Sequence, residues 1–267
     1  MTTATATARA ATARPAAHTV ADAVTVTWRN VLNVRRNPQL LVFATVQPIV
    51  FVLMFVYVFG GAIHIPGVPY VDFLMPGVFV QTVTFGSLQT GIGLAEDLNK
   101  GIIERFRSLP MARSAVLVGR TLADMIRNVF VILLMVVIGY AVGWRIHTNV
   151  VSTVAALGIV LGFAYSLSWV FAIVGLSSPD SETAQAASFP VLAPLVFASS
   201  AFVPVSTMPG WLQTFAENQP VTIVVNAVRD LTLGGPTSGD VLKAIAWIVA
   251  IVAICAPLAV ARYRKVV

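Results

Sequence analysis

The side chains best suited to ligate a metal or to work as a nucleophile and its base are His18, His64, His147 and Cys255, and they lie far apart in the chain. A lone cysteine excludes an internal disulfide and a cysteine metal cluster, and the histidines have no ligand-like spacing. None of the histidines sits in the middle of a long apolar run, and the acids fall near the ends of such runs. A buried nucleophile with its base, or a pair of catalytic carboxylates, is therefore not written into the chain. No G-x-x-x-x-G-K-[ST] stretch is present to cradle phosphates. Gly91 and Gly93, in GIGLAED, lack the third glycine and the preceding strand of a dinucleotide loop. What remains is a charged island, Glu96 to Arg127, holding ten of the 28 charged side chains. Its chemistry is ion pairing and docking.

The surroundings of that island define the class of protein. Hydrophobic residues make up 57% of the 267 residues and charged residues 10%, against about 25% charged in soluble domains. This composition is that of an integral membrane protein. The net charge is +6, but Lys and Arg stand at the edges of apolar runs, a pattern suited to lipid headgroups and not to nucleic acid. An Asp, Lys or Arg at the centre of a membrane helix costs about 2.5 to 3.5 kcal/mol, so charge-free gaps mark the spans. They predict six, at about 40–60, 72–95, 121–142, 151–176, 184–203 and 241–261. With the N-terminus inside, fourteen Lys and Arg fall on the inner side, and only Arg145, Arg229 and Lys243 fall outside. The positive-inside rule then puts both termini in the cytoplasm.

The predicted fold is thus all-α, with special segments between the spans. Residues 1–19 are Thr- and Ala-rich and read as a disordered cytoplasmic tail, although an organelle transit peptide shares their Arg-rich, acid-free composition. Over 20–37, Val20, Val24, Trp28 and Val31 form an apolar stripe opposite Arg29, Asn33, Arg35 and Arg36, as in a helix lying in the membrane interface. Pro48 predicts a kink in the first span, with Gln47 placed to satisfy the freed carbonyl. Gln81, Thr84, Ser87 and Gly91 make a polar stripe on the second span. That stripe serves either helix packing or, through Gln81, Thr84 and Ser87, a candidate translocation path. In these spans no ionisable group is expected at depth, so an ion-coupled carrier has no visible machinery.

Within the island, segment 96–115 contains a short amphipathic helix. Ile102, Ile103, Phe106 and Leu109 share one face, Glu104, Arg105, Arg107 and Ser108 fill the others, and Pro110 ends it. Fewer than three turns are marginal alone, so a protein groove would order them. Arg120, Asp124 and Arg127, at i, i+4 and i+7, predict an ion-pair ladder at the foot of the third span. The inner loop SSPDSETAQ offers a second docking point. Outside, residues 221–233 are apolar enough to touch the membrane but too short to cross it with Arg229 and Asp230 inside, which predicts that the segment 208–233 is re-entrant or interfacial.

Three stretches carry a family likeness: RRNPQLLVFATVQPIVFVLMFVYVFGGAI, LAEDLNKGIIERFRSLPMARSAVLVGRTLAD and MPGWLQTFAENQPVTIVVNAVRDL. Together they resemble the type-2 ABC export permeases, on their daunorubicin-resistance branch, over nearly the whole chain after Ala21. The resemblance implies a permease in the bacterial plasma membrane that exports a hydrophobic or amphipathic substrate such as a drug, antibiotic or lipid. Lipid-linked saccharide exporters share the fold, and the alternative from another class is a non-transporting membrane scaffold whose charged island recruits a partner. The resemblance further implies that the segment matching Gly101 to Pro110 is a coupling helix seated on an ATP-binding subunit. Residues matching Met208 to Leu233 would form two short re-entrant helices. Implied partners are two copies of the ATPase and a second permease chain, identical or a sister, with ATP and Mg held by the ATPase and no cofactor on this chain.

Overall fold

The computed structural model describes residues 24–30, 32, 38–63, 65–101, 113–235 and 237–266. Helices dominate it, in the order α1 (Pro38–Leu53), a π-helical turn (Met54–Phe59), α2 (Tyr70–Asn99), α3 (Arg113–Val142) and α4 (Val150–Ser177), followed by α5 (Ser181–Phe197), α6 (Gly210–Asn218), α7 (Pro220–Leu233) and α8 (Thr237–Val266). Their boundaries have local causes. The Asn149 side chain accepts from Ser152 N and starts α4, and Asp180 accepts from Thr183 N and starts α5. The Thr183 backbone N–H, aided by the Thr183 hydroxyl, holds the Asp180 carboxyl below its ordinary range. Pro220 opens α7, where a missing N–H costs nothing. Gly234, at φ +90°, closes it by donating to Asp230 O.

Among the described residues, four helical segments are long and apolar enough to cross a membrane: Tyr70–Asn99, Leu117–Val142, Val150–Ser177 and Gly239–Lys265. They overlie the second, third, fourth and sixth expected spans. The first expected span is a shorter α-helix prolonged by the π-helical turn. Pro48 lies within α1, and Gln47 beside it is exposed. The fifth, expected over 184–203, is helical only to Phe197. Pro190 and Pro194 each remove a backbone donor shortly before that end.

α2 is the central helix: 83% of its apolar window is buried within the chain, against 11% for that of α8. Small residues permit this. At the crossing of α2 and α4, a Cβ on Gly91 would stand 2.5 Å from Phe171 O, and one on Gly175 would strike Gly91 O. Backbone therefore meets backbone, as small residues allow between membrane helices. Ser87 Oγ, fully buried, reaches Val83 O within α2 (2.7 Å) and Ala164 O on α4 (3.0 Å). On α3, by contrast, Ile126, Phe130, Leu133, Val137 and Tyr140 are exposed at helical spacing. That stripe is a surface for lipid or another apolar partner.

The helical stretch 24–30 leaves Val24 and Trp28 exposed and buries Val26. Thr27 Oγ1 donates to Gly119 O on α3 (3.2 Å). One face thus holds the protein while the Trp-bearing face is free to enter an interface; Val20 and Val31 lie outside the described residues.

Candidate transmission joint

The charged island resolves into two facing stripes. On α3, Arg120, Asp124 and Arg127 follow one another at i, i+4 and i+7, and on α2 Gly86, Thr90, Gly93 and Asp97 do so at i, i+4, i+7 and i+11. Both spacings keep a row on one face of a helix. Asp124, 6% exposed, is the centre. It accepts from Thr90 Oγ1 at 2.5 Å and pairs with Arg127 Nη1 at 3.2 Å and Arg120 Nε at 3.8 Å. Arg127 Nη2 donates to Gly86 O at 2.7 Å, and Arg120 Nη1 bonds Asp97 Oδ2 at 3.3 Å. Asp97 also lies 3.9 Å from Arg29 of the N-terminal helix.

The glycines make room for this arrangement. A Cβ on Gly93 would strike the Arg120 guanidinium, and one on Gly86 would stand 2.8 Å from Asn128 Oδ1. In a low-dielectric seam such pairs hold only when every charge has partners. Here two arginines share one buried carboxylate and complete their hydrogen bonding on a carbonyl and on Asp97.

The ladder therefore forms. α3 starts at Arg113, so Asp124 and Arg127 lie well inside a 30-residue helix. The ladder's facing row on α2 is visible only once the two helices are paired.

Below the seam, Lys100 pairs with Glu96 at 2.5 Å on the exposed end of α2, and Gly101 turns the chain with φ +65°. Residues Ile102, Ile103, Glu104, Arg105, Phe106, Arg107, Ser108, Leu109 and Pro110 lie outside the described residues. The helices that bracket them are the two joined by the seam.

Gln81, Thr84 and Ser87 are all buried inside the chain, at 3%, 1% and 0% exposure. Thr84 Oγ1 donates to Val80 O (2.6 Å), and Ser87 bridges to α4. Among the described residues, Gln81 Oε1 has no hydrogen-bond partner. Two of the three are thus engaged in helix structure and packing, and Gln81 alone keeps an unused acceptor.

A family model for ABC-2 type transporters matches residues 22–233. The chain belongs to the ABC-2 type transporter family. It is 35% identical over 253 residues to a daunorubicin resistance ABC transporter permease protein of Streptomyces coeruleorubidus, covering 94% of this chain and 89% of that one. It is also 26% identical over 227 residues to a probable doxorubicin resistance ABC transporter permease protein of Mycobacterium tuberculosis, covering 83% and 80%. As an ABC-2 permease, the chain works with an ATP-binding partner. In that setting the α2–α3 seam joins the two helices between which the expected docking segment lies.

Proposed function

We propose that this chain is the membrane permease of an ATP-driven exporter that moves a hydrophobic or amphipathic drug-like compound out of the cytoplasm or inner leaflet. The observation that carries the reading is the 35% identity, over nearly the full length of both chains, to a permease named for daunorubicin resistance. The permease sits in a bacterial plasma membrane with six spans and both termini in the cytoplasm. α1 with its π turn and α5 are the first and fifth spans, and α6 and α7 form the outer re-entrant pair. It pairs with a second permease, identical or a sister, and two ATPase subunits that hold ATP and Mg.

The mechanism follows from where stiffness lies. ATP binding closes the ATPase pair, and residues Ile102 to Pro110 move with it. The ion-paired seam makes the lower halves of α2 and α3 one body, so a push on the connecting segment displaces both helices together. Gln81, Thr84 and Ser87, on the same α2, are the groups proposed to meet substrate when α2 moves relative to its neighbours.

The test is reconstitution. Permease alone should show no ATP hydrolysis, whereas permease co-expressed with its cognate ATPase should hydrolyse ATP and move an anthracycline into inverted vesicles. Phe106→Ala combined with Arg107→Glu should abolish assembly or lower transport at least tenfold. Unchanged assembly and transport in that variant would remove the coupling assignment.

A further inference from the structure

At the opposite end of α2 from the joint, a second polar seam ties three helices together. Gln219, Thr222, Asn226 and Arg229 recur at i, i+3, i+7 and i+10, one face of α7 and its cap. All four meet the broken end of α5. Gln219 Nε2 donates to Leu195 O (2.8 Å) and Ala198 O (3.1 Å), and Thr222 Oγ1 accepts from Ser200 N (3.2 Å). Asn226 Oδ1 accepts from Ser200 Oγ (2.8 Å) and from Arg229 Nη1 (3.0 Å). Arg229 Nη2 donates to Ser200 O (2.8 Å) and to Phe73 O of α2 (3.1 Å), and Nε lies 3.3 Å from the same Phe73 oxygen.

The need for such partners comes from α5 itself. Its last carbonyls have no donors further along the helix, and in a poorly hydrated setting each must find one within the protein. Gln219, at the cap of α7, supplies one to Leu195 O and another to Ala198 O just past the helix end. The tail after α5 is also pressed on α2: a Cβ on Gly77 would strike Ala201 O, and Tyr70 OH donates to Phe202 O (3.1 Å). Arg229 alone among the four reaches both elements, with its Cζ 3.6 Å from the Phe73 ring centroid. A planar five-donor fork can bond two carbonyls and stack on a ring at once, which the point charge of a lysine cannot reproduce.

We propose that Arg229 is a positioning residue for transport, fastening the outer ends of α2, α5 and α7 into one unit that moves with the inner seam. Phe73 and Asp97 are 24 residues apart on α2, about 36 Å at the helical rise, so a single rod joins the two seams. The inference rests on the export reading above.

The test uses the permease co-expressed with its cognate ATPase, with daunorubicin as probe in inverted vesicles, and compares Arg229→Met with Arg229→Lys. The Met variant should hydrolyse ATP within twofold of the parent while daunorubicin moved per ATP falls at least fivefold, and the Lys variant should recover part of that loss. Amide hydrogen exchange over 195–202 and 219–233 should quicken at least tenfold in the Met variant. A purely structural role would lower hydrolysis and transport in parallel, and that result, or an unchanged transport-to-hydrolysis ratio, overturns the proposal. If Arg229→Met does not reach the membrane, Asn226→Ala removes one of its supports and must lower the same ratio, or the proposal fails. Should the parent hydrolyse ATP but move no daunorubicin, the export reading fails separately, and unchanged exchange in Arg229→Met would then refute the fastening itself.

Discussion

Asp124 shows how much a single buried side chain can organise. With Thr90, Arg120 and Arg127 around it, its removal leaves Arg127, among the described residues, with no carboxylate and Arg120 with Asp97 alone. Breaking a buried charged pair by deleting one partner costs about 3 to 5 kcal/mol, so Asp124→Ala should destabilise the permease by about that amount. Thr90→Val, which forfeits one hydrogen bond to a charged group, should cost about 1.5 to 3 kcal/mol. Equilibrium unfolding in mixed micelles measures both, and a neutral Asp124→Ala would show that the seam contributes nothing to the fold. The α3 half of this cluster was legible from its i, i+4, i+7 spacing. The α2 half, Gly86, Thr90, Gly93 and Asp97, carries the same kind of periodic signal, but glycine and threonine announce a charged partner only when the opposite helix is known.

At the scale of elements, the crossing of α2 and α4 decides which helix is central. Gly91→Ala and Gly175→Ala each place a methyl group against a backbone carbonyl, which has no rotamer by which to yield. Overpacking of this kind costs about 1 to 3 kcal/mol. Gly158→Ala, on α4 with nothing within 4 Å, should be neutral or slightly stabilising, since alanine is the better helix former. Thermal unfolding of the three purified variants distinguishes a crossing locked by size from one merely tolerant of it. Equal melting temperatures would refute the lock. Apolar patterning located the helices well, yet missed the early end of α5 and the π turn after α1. Both depend on how local backbone bonding is satisfied, and charge-free length is blind to that.

For the molecule as a whole, the proposed orientation puts α6 outside and the start of α5 inside. In a Cys255→Ser background, Glu217→Cys should react with a membrane-impermeant maleimide on intact cells, and Glu182→Cys only after permeabilisation; both native side chains are exposed. The reverse pattern would invert the topology. Composition and charge placement by themselves determined that the chain is an all-helical membrane protein, and its motifs carried the permease family likeness. Those properties follow from solvent preference, which is written residue by residue. Only the tertiary structure decided that Asp124 and Arg127 face Thr90 and Gly86 of α2, that Ser87 is spent on packing, and that Arg229 joins α2 to the end of α5. In each case the deciding partner is a backbone carbonyl or a side chain on another helix. Since every residue carries a carbonyl, sequence cannot single out the one that is used until the helices are packed.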